Sequence, residues 1–102
     1  NADEWGRNRG IETYAHYSTS QASWALAWYL QDSLVKDLGL IDRGLKADNF
    51  HVIRETAHQK SVLLEIGYIS HPADEIFMSN SNNRTRAAQA IYQGILNYYT
   101  SL

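Results

Sequence analysis

Cysteine is absent from the 102 residues, so the sequence can build neither a disulfide framework nor a thiolate metal site. Proline occurs once, at Pro72, and methionine once, at Met78. No apolar run approaches the ~18 residues of a membrane span, and none has the form of a signal peptide. Basic residues are few and scattered (Arg7, Arg9, Lys36, Arg43, Lys46, Arg54, Lys60, Arg84, Arg86). A nucleic-acid surface needs them clustered in a stripe, so nucleic acid is excluded as a partner. Arg84 with Arg86, the nearest thing to a cluster, reads as a solvated helix face. Also missing are an H-E-x-x-H helix, a G-x-S-x-G elbow and a glycine-rich phosphate loop. Residue 1 is Asn, not Met, so the sequence reads as a processed or excised piece of something longer.

What is present is ordinary for one folded domain of modest core: 44% hydrophobic residues, 20% charged, net charge −2. Asn1–Arg9 is polar and reads as an irregular entry. Gly10–Tyr17 reads as a strand in which alternation sets Ile11 and Thr13 on one face and Glu12 with Tyr14 on the other. Glu12 is then a carboxylate embedded in a strand, with a solvent-facing or rim position as its plainest reading. Ser18–Leu38 has the periodicity of a helix, with Ser18 and Gln21 as a capping box and Gly39 as its C-cap. Its apolar face collects Trp24, Ala27, Trp28, Leu34, Val35 and Leu38, which places both tryptophans in the core.

Gly39–Asp48 reads as a charged loop and Asn49–Arg54 as a short strand. The link from 55 to 60 is too short for a parallel crossover, so that strand and the next are antiparallel or not adjacent. Pro72–Met78 reads as a short helix, with Pro72 at its first position and Asp74 and Glu75 in its first turn. A last helix over about Asn82–Thr100 aligns Ala87, Ala88, Ile91, Ile95 and Tyr98 as a core stripe. The resulting β-α-β-β-α-α pattern predicts a mixed, helix-flanked α/β sheet.

One stretch organises the rest. Ser61–Tyr68, SVLLEIGY, reads as a buried strand apolar on both faces, interrupted by one carboxylate, Glu65. A buried carboxylate is paired, protonated or bound to a metal, because leaving it ionised and alone costs several kcal/mol. A structural salt bridge to a buried arginine and a role as acid or base both satisfy that demand. The histidines His16, His51, His58 and His71 are isolated along the chain, and no pair has metal-ligand spacing on one element.

Four blocks then carry a resemblance: GIETY (Gly10–Tyr14), DRGLKADNFHVIRET (Asp42–Thr56), SVLLEIGYISHPADE (Ser61–Glu75) and AAQAIYQGI (Ala87–Ile95). In this order they resemble the zinc-dependent N-acetylmuramoyl-L-alanine amidases of amidase family 3, found in bacterial autolysins and phage endolysins. The resemblance covers almost the whole chain. It implies cleavage, outside the cell or in the cell wall (the periplasm of a Gram-negative source), of the peptidoglycan amide between muramic acid and L-alanine. It also implies that Glu65, matching the glutamate of the family's V-L-x-E-x-G-[FY] strand, is the general base that deprotonates a zinc-bound water. Arg54, as partner of Glu65 or holder of a substrate carboxylate, and Glu12 are the supporting candidates.

The same resemblance places the zinc ligands, two histidines and a glutamate, upstream of Asn1. Asn1 and Ala2 look like the end of the family's H-x-N-A motif, and no residue here matches a ligand. His71 stands where the family usually has asparagine, still in place to cap the helix after it. The chain is therefore expected to be a partial catalytic domain, the C-terminal half of the sheet, with about three strands and two long helices. Its open edge would pair with the missing N-terminal half or with a swapped copy of itself. Two other functions stand beside the amidase reading: a non-catalytic module binding cell wall or a partner chain, and a peptidase on a related zinc fold.

Overall fold

Strand β1 (Ile11–Ala15) is the centre of a three-stranded sheet of order β2-β1-β3. The computed structural model describes residues 9–17, 19–56, 58–68 and 70–102. The expected irregular entry over 1–8 and the Ser18 cap lie outside the described residues. Helix α1 (Gln21–Leu38) crosses over from β1 to β2 (Asp42–Ala47), which pairs parallel with β1. Strand β3 (Leu63–Ile66) pairs antiparallel on the other side. Between them is α2 (His51–Glu55), and after β3 come α3 (Pro72–Ser79) and α4 (Ser81–Thr100). The fold is α/β, with three strands and two long helices among the described residues.

Two elements differ from the sequence expectation. Asp42–Ala47 is a strand rather than loop, because its charges lie at a sheet edge where ion pairs accommodate them. Asn49–Arg54 is not a strand: His51–Glu55 forms a short helix that buries only Ile53. Strand β3, expected to be covered on both faces, is half-buried along its length because β1 is its single strand neighbour among the described residues.

Helix caps follow the chemistry of the local residues. Ser20 caps α1, its Oγ accepting from the Ser23 N–H at 3.4 Å. Gly39, at φ +66°, closes α1 by donating its N–H to the Val35 carbonyl at 2.9 Å. His71 caps α3 as expected, its Nδ1 accepting from the Ala73 N–H at 3.2 Å. Asn80 caps α4 through two backbone N–H groups.

The core lies between one sheet face and the α1/α4 pair: Ile11, Leu34, Leu38, Ala87 and Ala90, with Leu64, Ile66, Phe77 and Ile91 against them. Both helices are rotated from the faces their apolar residues mark. Helix α1 buries Ser23, Ala27, Leu30, Gln31, Leu34 and Leu38, while Trp24 is half-buried and Trp28 is 52% exposed. Helix α4 buries Ala87, Ala90, Gly94 and Tyr98, leaving Ala88 exposed and Ile95 40% exposed.

Small and polar residues explain both rotations. A Cβ on Gly94 would come within 3.0 Å of the Leu30 Cα and the Tyr29 carbonyl, so the helices cross where no side chain intervenes. Buried Gln31 donates from Nε2 to the Ile11 carbonyl and to Asp42 Oδ1, both at 2.7 Å, and its Oε1 accepts from Thr13 Oγ1 at 2.9 Å. One amide thereby ties α1 to β1 and β2.

Candidate functional site

The sheet face turned away from α1 and α4 carries the charged cluster. Ile11 and Thr13 point into the core and to Gln31, so alternation turns Glu12 and Tyr14 to the opposite face. In the β1–β3 ladder Glu12 is paired with Glu65 and Tyr14 with Leu63. Residues directly opposite in a ladder project to the same side. The two strand-embedded carboxylates therefore stand side by side.

Their surroundings differ completely. Glu12 is 1% exposed, not the solvent-facing or rim residue its position in the strand implied. Its Oε1 accepts from the Tyr14 and Tyr68 hydroxyls, each at 2.7 Å. Arg43 Nε stands 3.6 Å from its Oε2 and Lys46 Nζ 3.8 Å, within Coulombic reach but beyond hydrogen-bond distance. Burial by itself would raise the Glu12 pKa. The hydrogen bonds from Tyr68 and Tyr14, with Lys46 and Arg43, outweigh it and hold the carboxyl below its ordinary value. Burial and the bond to Glu12 push the Tyr14 phenol well above its usual range.

A bulge makes the cationic half of this cluster. In the β1–β2 pairing Ile11 faces Asp42 but Thr13 faces Leu45, so Arg43 and Gly44 together oppose Glu12. The extra residue re-aims the strand. Gly44 takes the left-handed conformation, φ +81°, and its N–H donates to Asp42 Oδ1 at 2.8 Å. Arg43 also lies over the Tyr68 ring, 5.5 Å from its centroid.

Glu65 is half-buried on β3 and, among the described residues, makes no hydrogen bond and no ion pair. No arginine among the described residues forms the structural salt bridge with it. Arg54, the expected partner, is exposed on α2. It donates from Nη2 to His51 Nδ1 at 2.8 Å and from Nε to Glu55 Oε1 at 3.2 Å. The structure brings Glu12 and Glu65 together and leaves Arg54 on separate partners.

The end of β3 beyond Glu65 is fixed by a buried acid that the sequence marked only as a first-turn residue. Asp74 Oδ2 accepts from the Gly10 N–H at 2.8 Å and the Tyr68 N–H at 3.0 Å, and Arg9 Nε approaches its Oδ1 at 3.7 Å. Gly67, at φ +86°, leaves room for this contact: a Cβ there would meet Asp74 at 3.4 Å. Arg43, Lys46, Tyr68 and Asp74 were not singled out as site residues. The one local signal was Tyr14, placed with Glu12 by strand alternation.

Among the described residues no group of three or more His, Asp or Glu side chains is placed to hold a metal ion. The four histidines remain apart: His16 bonds Asn49 at 2.8 Å, His51 bonds Arg54, His58 bonds Gln59 at 3.0 Å and His71 caps α3.

Residues 1–97 match the sequence profile of a family described as N-acetylmuramoyl-L-alanine amidase. An uncharacterized cell wall amidase of Bacillus anthracis is 38% identical over 101 residues, covering 92% of this chain and 19% of that protein. The N-acetylmuramoyl-L-alanine amidase LytC of Bacillus subtilis is 37% identical over 101 residues, covering 97% of this chain and 20% of LytC. Among solved structures, an N-acetylmuramoyl-L-alanine amidase from Clostridium difficile 630 superposes with TM-score 0.92 at 32% identity, covering 99% of this chain and 54% of the other. The chain thus spans about a fifth of those curated relatives and about half of that solved chain.

Proposed function

The chain belongs to the N-acetylmuramoyl-L-alanine amidase family, and from that premise we propose that it is part of a peptidoglycan hydrolase whose general base is Glu65. The bond cut is the amide between N-acetylmuramic acid and L-alanine, which places the work at the cell wall, outside the membrane. The observation that carries the reading is the contrast between two adjacent carboxylates. Glu12 is held by two phenols and two cations, whereas Glu65, directly opposite, has no hydrogen bond or ion pair among the described residues. A base needs a free oxygen within reach of the proton it takes.

Amide hydrolysis asks two things of such a group. It removes the proton from the attacking water as the C–O bond forms, and it returns that proton to the departing alanine nitrogen as the C–N bond breaks. A half-buried carboxylate suits both, since it is held by its strand without being sealed from substrate. Rigid support comes from the β1–β3 ladder and from the Asp74 clip at the end of β3. The zinc that the family implies does not fit the described residues alone, so its ligands belong to residues outside them.

Glu65→Gln in the intact protein tests the assignment. The substitution keeps shape and removes basicity, so release of new L-alanine amino termini from peptidoglycan should fall at least ~100-fold. Metal content and thermal unfolding should match the parent. Near-normal turnover would exclude Glu65 as the base.

A further inference from the structure

Arg54, expected to pair with Glu65 or to hold a substrate carboxylate, spends its donors on His51 and Glu55. The cations on the catalytic face are Arg43 and Lys46. Glu12 and Glu65 are ladder partners and share one sheet face; Arg43 and Lys46 reach the Glu12 carboxylate and so lie on that face too. One buried anion thus has two cations beside it, where one would neutralise it. Asp42, the acid of β2, is engaged by Gln31 from the core side and does not balance the surplus. Neither cation is used up by its neighbours. Arg43 Nε is buried without a hydrogen-bond partner, and its guanidinium, over the Tyr68 ring, donates to nothing among the described residues. Lys46 gives one N–H, to the Arg43 carbonyl at 3.1 Å. Their side chains are 30% and 40% exposed, which leaves both within reach of a ligand.

We propose that Arg43 and Lys46 form a subsite for a free carboxylate on the peptide stem of the substrate, two or three residues beyond the bond that is cut. The inference rests on the reading of the chain as part of a peptidoglycan amidase with Glu65 as its base. Sheet order supplies the spacing. Strands β2 and β3 flank β1, and neighbouring strands lie about 4.8 Å apart, so the β2 cations stand about 10 Å across the sheet from the strand of Glu65. An extended peptide advances about 3.3 Å per residue and covers that span in about three residues. Arginine presents its N–H groups as a planar fork that matches a carboxylate, and resting on an aromatic ring leaves that fork available. Glu12 on one side and Tyr68 on another hold the guanidinium before any ligand arrives. The bulge at Gly44 then has a purpose beyond neutralising Glu12: it delivers the second cation to the substrate face.

Cations that serve only to neutralise Glu12 would affect folding without distinguishing one substrate from another. The test therefore uses two soluble muropeptides, alike except that the carboxylates of the second and third stem residues are free in one and amidated in the other. The intact parent should cleave the free form with a kcat/KM about tenfold higher or more. Arg43→Met and Lys46→Met should each shrink that ratio toward one, chiefly by raising KM for the free form. A parent without preference, or variants that lose both substrates alike and keep the ratio, overturns the proposal. If Arg43→Met fails to fold, the ratio in Lys46→Met decides alone. Calorimetric binding of the two muropeptides to Glu65→Gln reads the same preference without turnover, and adding Lys46→Met should abolish it. Full activity in Glu65→Gln would overturn the base and leave the binding preference to decide the subsite; an inactive Glu65→Gln that binds both muropeptides equally would remove the subsite alone.

Discussion

Arg43 and Lys46, an odd number of residues apart on β2, both present their cations to Glu12, at 3.6 and 3.8 Å. A regular strand would send them to opposite faces. The extra residue in β2 opposite Glu12 makes the difference, and the site depends on it. Without the bulge one of the two would turn toward the core face, leaving a single β2 cation near a buried anion. Backbone geometry here decides electrostatics.

That electrostatic arrangement predicts an acid-dependent stability. The Glu12 carboxyl is held below its ordinary value of 4.5 in the folded chain. The unfolded state therefore binds its proton first as pH falls, and stability rises with pH across that interval. The contribution is complete above the unfolded value and is lost as pH drops through the folded one. Urea denaturation of the intact protein between pH 7 and pH 3 should show this fall, and Glu12→Gln should flatten it. At pH 7 the same substitution should cost on the order of 1–3 kcal/mol, the toll of leaving partly exposed Arg43 and Lys46 without their anion. An unchanged acid slope in Glu12→Gln would assign the acid sensitivity to other carboxyls.

A second prediction concerns the contact between α1 and α4. At Gly94 a Cβ would lie 3.0 Å from both the Leu30 Cα and the Tyr29 carbonyl and 3.1 Å from Leu30 Cδ2, so any side chain must push the helices apart. Alanine is an ambiguous probe, because its helix propensity returns about 1 kcal/mol. Valine gains little propensity and clashes more, so Gly94→Val should lose about 2–3 kcal/mol. Ile95→Ala, at a position 40% exposed, should cost less than about 1 kcal/mol. Chemical denaturation of the two variants checks the order. The reverse order would mean that the apolar stripe, not the small-residue stripe, forms the helix contact.

These cases show what was legible in the sequence. Long periodic segments, their caps at Gly39 and His71, and a carboxylate set among Val62, Leu63, Leu64 and Ile66 all act through near neighbours. Local chemistry therefore identified α1, α3, α4, β3 and the interest of Glu65. What escaped depends on contacts distant along the chain. DRGLKA looked like a loop because its charges and Gly44 have no local use; their use is Glu12, on another strand. HVIRE alternates like a strand, yet a segment of five residues is too short for the helical period to show. In both long helices, large apolar side chains pointed to a face beside the true one. Ser23, Gln31, Ala90 and Gly94 make the contacts, and hydropathy gives them little weight.

The bulge can be tested through its glycine. Gly44 sits at φ +81° with nothing within 4 Å of a notional Cβ, so alanine there meets backbone strain and no clash. The left-handed conformation costs an L-residue about 1–2 kcal/mol, and Gly44→Ala should lose that much in urea denaturation. Gly39, at φ +66° and equally open, is the matched control and should lose a similar amount. The two variants should separate in acid. If alanine relaxes the bulge toward regular alternation, one of Arg43 and Lys46 leaves Glu12, and the acid dependence of stability changes in Gly44→Ala alone. Gly10→Ala sets the upper end of the series, because its Cβ would lie 2.3 Å from the Ile41 carbonyl at φ +105°. A Gly44→Ala variant as stable as the parent, within the ~0.5 kcal/mol of an ordinary surface change, would mean that the bulge does not depend on glycine. Arg43 would then owe its place to its contacts with Glu12 and Tyr68.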